Sequence, residues 1–118
     1  MQKIILGIVI KREPVKEKDI RATILTACGL KKLNITGVQK AQLFSVSEFT
    51  VVGHKIIKEY VMESNHGITK IYKNYLRAGE ICINLLQSVP FANEYEDFPI
   101  AIDEFKDTIA QFEKLSKE

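Results

Sequence analysis

The sequence predicts a single α+β domain over residues 1–118, a mixed sheet of about four strands packed with three to four helices, with the N-terminal strand inside the sheet. Three observations predict it. A chain of 118 residues holds one core and buries roughly 65% of its unfolded surface. An apolar fraction of 46% and a charged fraction of 27% are ordinary globular values. Residues 4–10, Ile-Ile-Leu-Gly-Ile-Val-Ile, form a β-branched apolar run with no polar alternate positions, bounded by Lys3 and by Lys11-Arg12-Glu13. Such a run reads as a strand covered on both faces, and the rest of the chain must supply the covers.

In chain order, Glu13-Pro14 opens a turn or a first helical turn. Residues 15–28 read as a helix, because Ile20, Ile24, Ala27 and Cys28 share one face, Glu17 and Arg21 can pair at i, i+4, and Gly29 can close it. Residues 33–46 read as one or two strands with a turn near Thr36-Gly37, completing a β-α-β unit with the first strand. In residues 47–65 the period favours a helix: Phe49, Val52, Ile56, Ile57, Tyr60 and Val61 take one face, Ser45 and Glu48 have capping-box spacing, and Asn65-His66-Gly67 is a stop. A hairpin broken at Gly53-His54 is the alternative, supported by the β-branched composition.

Residues 68–78 repeat the helical period through Ile68, Ile71, Tyr72, Tyr75 and Leu76, with Gly79 closing the helix. Residues 81–89 read as a strand, 90–99 as a loop and 99–102 as a short returning strand. Asp103 caps the last helix, Glu104 favours its positive end, and Phe105, Ile109, Phe112 and Leu115 form its apolar stripe.

No run approaches the ~18 apolar residues of a membrane-spanning helix, and charge follows residue 10 where a signal peptide would be cleaved. The expected compartment is cytoplasmic, with Cys28 and Cys82 as reduced thiols. The net charge of +2 is segregated: residues 1–80 carry 14 Lys and Arg against 7 Asp and Glu, residues 81–118 carry 3 against 8. Segregation of this kind marks a binding face or two halves that attract each other within the fold.

Catalytic motifs are absent: the chain has no C-x-x-C, H-E-x-x-H, G-x-S-x-G, P-loop or G-x-G-x-x-G pattern, and no cofactor or metal is expected. His66 reads as a solvated turn residue, and Cys28 and Cys82 as small hydrophobes. Asp103, Glu104 and Asp107 read as capping and dipole compensation rather than a cation site.

Two segments point to binding. Residues 90–99 interleave Phe91, Tyr95 and Phe98 with Glu94, Glu96 and Asp97, a composition suited to a protein interface. The first functional reading is therefore a non-enzymatic regulatory or adaptor module that binds a protein partner or a second copy of itself. The alternative is a DNA- or RNA-binding regulator of helix-turn-helix or winged-helix type, using residues 47–78. Its candidate contacts are His54, Lys55, Lys58, Lys70, Lys73, Asn74 and Arg77. A small enzyme is third.

Overall fold

The computed structural model describes residues 2–36, 40–92 and 98–118. Among these residues five strands come first: β1 (Gln2–Pro14), β2 (Asp19–Thr26), β3 (Gly29–Thr36), β4 (Val46–Val52) and β5 (Lys55–Glu63). Three helices follow: α1 (Gly67–Lys70), α2 (Tyr72–Ser88) and α3 (Ile102–Lys117). The class is the α+β expected, but the sheet has five strands and closes on itself in the order β1-β2-β3-β5-β4. Neighbours pair antiparallel except β3 and β5, which close the barrel in parallel through Asn34 and Lys55. The Asn34 amide reinforces that closure by donating to the His54 carbonyl at 2.7 Å.

β1 is interior, as expected, paired with β2 along one edge and β4 along the other. Its covers explain the second half of the apolar run. Val9 points into the barrel with Ala22, Ile24, Leu33, Phe49 and Ile56. Ile8 and Ile10 point outward into a second core, where Leu85, Val89, Phe105 and Phe112 of the helical layer meet them. The cover stops short of the N-terminal half: Ile4 is 73% and Leu6 40% exposed, and the continuous buried stretch is residues 7–10.

Residues 15–28 are not a helix. Ile20 and Ile24 stand four apart, a spacing that fits period 2 as well as period 3.6, and Ala22 between them also faces the barrel. Thr26 decides the local geometry. Its hydroxyl donates to the Gly29 carbonyl at 2.8 Å and accepts from the Cys28 amide at 3.1 Å. Gly29 takes φ +123°, and β2 turns straight into β3. With β2 antiparallel to β1 there is no β-α-β unit.

The hairpin alternative holds for residues 47–65. β4 and β5 are joined at Gly53-His54, with Gly53 at φ +63°. Of the residues that give the helical period, only Phe49 and Ile56 are buried; Val52, Ile57, Tyr60 and Val61 are exposed apolar side chains on the two strands, and two irregularities in the β4–β5 register, between Val46 and Ser47 and between Thr50 and Val51, interrupt strict alternation. Ser45 caps nothing; its hydroxyl donates to the Gln42 carbonyl. The helix-turn-helix and the wing behind it are therefore ruled out. Asn65-His66-Gly67 leads into α1 instead of ending a helix.

The strand expected over residues 81–89 is also corrected: α2 runs through Gly79 to Ser88. Ala78, Cys82 and Leu85, at i, i+4 and i+7, are its buried face on the barrel, and that packing outweighs β-rich composition. Residues 99–102 form no strand. α3 has Ala101 at its N-cap with no side-chain cap, so Asp103 and Glu104 act through their charge in the first turn. Its stripe is as expected, with Phe105 and Phe112 buried and Ile109 and Leu115 packed beside them. No helix among the described residues is long and apolar enough to cross a membrane.

Candidate nucleic-acid interface

Alternation along β1, β2 and β3 brings charge together on the outer surface of the barrel. One cross-strand row runs Lys11–Thr23–Lys32, with Thr23 buried between the two exposed lysines, and the next runs Glu13–Arg21–Asn34–Lys55. Asp19 ends the face, accepting from the Thr36 hydroxyl at 3.2 Å. Four cations thus stand beside two carboxylates. Glu13 bonds to Lys11 at 3.1 Å. Its carboxyl is held below the usual range by that hydrogen bond and by the Lys11 charge, with Lys32 and Arg21 adding to the effect. The face therefore carries more positive than negative side chains.

The face leads to a recess of about 550 Å³ at the barrel mouth. Ile5, Leu30, Leu33 and Val51 give it an aliphatic floor, while Lys3, Lys31, Lys32 and His54 stand around it. Phe91 forms one wall and is 53% exposed. Its backbone is fixed to β3: Leu30 donates to the Pro90 carbonyl at 3.0 Å and accepts from the Ala92 amide at 2.8 Å. The Lys32 ammonium lies 5.3 Å from the centre of the Phe91 ring, within cation–π range. Gly29 permits this close approach, since a Cβ there would lie 2.7 Å from the Pro90 carbonyl oxygen.

The basic residues singled out from the sequence are divided between two places. His54 lines the recess, Lys55 ends the second charged row and Lys58 is exposed on β5. Lys70 ends α1. Lys73, Asn74 and Arg77 line a separate hollow of about 670 Å³ between α2 and α3. Asn74 is buried and donates to the Leu115 carbonyl at 3.2 Å, so it ties the helices together and does not face a ligand. Arg77 is bonded to Glu80 at 3.3 Å.

Of the aromatic loop, Phe91 and Phe98 are described and exposed; Glu94, Tyr95, Glu96 and Asp97 lie outside the described residues. The loop joins α2 to α3 and not two strands. Lys3, Lys31 and Lys32 were missed as site residues. The signal available for Lys31 and Lys32 was the lysine pair set between Leu30 and Leu33, which puts one lysine on each face of a strand whose leucines are buried on both.

Cys28 and Cys82 are free thiols, and burial pushes Cys82 up to about 12, which keeps it protonated and unreactive. Among the described residues no group of three or more His, Cys, Asp or Glu is placed to hold a metal ion. The chain matches no family model and no curated relative.

Proposed function

We propose that this chain binds single-stranded nucleic acid across β1–β3 and the adjoining barrel mouth. One observation carries the reading: an exposed aromatic ring, Phe91, stands with Lys3, Lys31 and Lys32 at the end of a basic strand face. Single strands are held by that combination, with cations tracking the phosphates and rings stacking on bases. Residues 2–63, which form the barrel, carry 11 Lys and Arg against 6 Asp and Glu, the sign a phosphate backbone requires.

The strand circuit 1-2-3-5-4 with its parallel closure has the connectivity of the OB-fold. Barrels of that fold bind oligonucleotides and oligosaccharides on strands 2 and 3 and the flanking β1–β2 and β4–β5 loops. This is an analogy at the level of fold, and it supports the reading only because the charges and the ring lie on the same side.

Fluorescence anisotropy with a labelled oligothymidylate of about twelve nucleotides, at about 50 and 200 mM salt, tests the proposal. Affinity should fall with salt. The pair Lys31→Ala, Lys32→Ala should weaken binding and flatten the logarithmic salt slope by about 1 to 1.5, two phosphate contacts' worth. Lys70→Ala with Lys73→Ala should change neither. Absence of binding at low salt, or loss of binding in the second pair alone, overturns the reading.

A protein-binding adaptor is the second reading, and the exposure of Phe98 (69%) and Ile100 (61%) favours it. These side chains contribute little to the core, so Phe98→Ala with Ile100→Ala should shift stability by no more than about 0.5 kcal/mol. If they anchor a second copy of the chain, sedimentation should show wild-type dimer lost in that variant. A monomeric wild type at high concentration removes self-association.

A further inference from the structure

The barrel-mouth recess has a feature that phosphate binding does not use. It is concave, its floor is aliphatic, and one of its walls is a ring whose backbone is pinned on both sides by Leu30. We propose that the recess captures one unstacked nucleobase, while the strand to either side is held through its phosphates alone. The proposal rests on the nucleic-acid reading above and states how a strand would be engaged there.

The division of labour follows from where the rings are. Continuous base stacking needs aromatic side chains in succession along the groove. The two charged rows of β1–β3 contain only Lys11, Thr23, Lys32, Glu13, Arg21, Asn34 and Lys55, with no aromatic among them. They can follow a backbone but cannot stack bases. Phe91 stands where those rows meet the recess, joined to them by Lys32 over its ring. A base resting on the free side of Phe91 would cover the ring and lie against Ile5, Leu30, Leu33 and Val51. Lys3 and Lys31 would then stand near its flanking phosphates.

Size is consistent. About 550 Å³ falls within the ~300–1,000 Å³ range of small-molecule pockets and suits a nucleoside unit rather than a duplex. Access is consistent as well. Gly53, in the β4–β5 turn beside the recess, has nothing within 4 Å of where a Cβ would stand, so that side is open. A duplex would have to unpair to place a base here; a single strand would not.

The experiment compares two ligands of equal charge: the labelled oligothymidylate and an oligomer of the same length made only of abasic units. If one base is captured, the abasic oligomer should bind the wild type at least about fivefold more weakly. Phe91→Ala should bring oligothymidylate affinity down to that of the abasic oligomer measured on the same variant. Ala92→Leu, which narrows the recess beside Phe91 and leaves the ring in place, should shrink the difference, and this second variant covers the case in which Phe91→Ala perturbs the fold. Lys31→Ala with Lys32→Ala should weaken both ligands together. Equal wild-type affinity for the two ligands overturns base capture and leaves the nucleic-acid reading standing. So does a difference that survives undiminished in both Phe91→Ala and Ala92→Leu. Failure of both ligands to bind at low salt overturns the two readings together.

Discussion

Ile8→Asp is expected to leave no cooperatively folded protein. Ile8 is fully buried and pairs with Leu25 on one side and Val46 on the other. Its side chain enters the core between barrel and helices, which includes Leu25, Phe44, Val46 and Phe112. A carboxylate there meets no cation, and an unpaired buried charge costs several kcal/mol. Loss of the Ile side chain's own packing adds about 2–5 kcal/mol. Together these reach the ~5–15 kcal/mol by which a domain is stable. Ile4→Asp is the control on the same strand. Ile4 is 73% exposed, so the same change of residue should shift stability by no more than about 0.5 kcal/mol. Thermal denaturation followed by circular dichroism checks both; an Ile8→Asp protein that melts like wild type would put β1 outside the core.

The contrast between Ile8 and Ile4 also shows what the sequence can reveal. Both sit in one apolar run, and the run correctly signals an interior strand. Where its cover ends depends on the reach of the helical layer, which no local pattern records. The last helix was legible because Phe105, Ile109, Phe112 and Leu115 repeat at a period that no strand can use. Residues 20 and 24 were not, because a spacing of four satisfies both periods. The β4–β5 hairpin was hidden because Val52, Ile57, Tyr60 and Val61 are apolar yet exposed and because its register shifts twice, although Gly53-His54 marked its turn. Residues 81–89 have strand composition, yet Ala78, Cys82 and Leu85 are placed for helical contact with the barrel, and tertiary packing decides between them. The site was legible only in fragments. Composition marked Phe91 and the basic character of the first 80 residues. Lys3, Lys32, His54 and Phe91 come from four separate segments, and barrel closure is what brings them to one mouth.

Phe112→Ala should be the costliest truncation in the helical layer, at about 3–5 kcal/mol. Phe112 is fully buried on α3, so its ring is lost from a site that solvent does not reach. It meets Phe44 edge to face, with ring centres 5.2 Å apart at 75°, and Phe44 in turn meets Tyr75 at 6.0 Å. Those three rings join α3, the β3–β4 connection and α2. Phe44 adds a second reason for a high cost. Its φ is +71°, a left-handed conformation that a bulky residue adopts at a cost of about 1–3 kcal/mol when its surroundings enforce it. Asn65 supports that conformation by donating to the Phe44 carbonyl at 2.7 Å, and Phe112 supports it by holding the ring. Removing Phe112 therefore weakens one of the restraints that keep Phe44 in place, and the loss should lie toward the upper end of the range. A double-mutant cycle with Phe44→Ala separates the two contributions: direct ring contact predicts a coupling of about 0.5–1.5 kcal/mol, and the backbone restraint predicts more. Chemical denaturation of the four proteins measures both quantities. A loss below about 1 kcal/mol for Phe112→Ala would mean that α3 sits on the periphery, and the second core would then have to be held by α1 and α2.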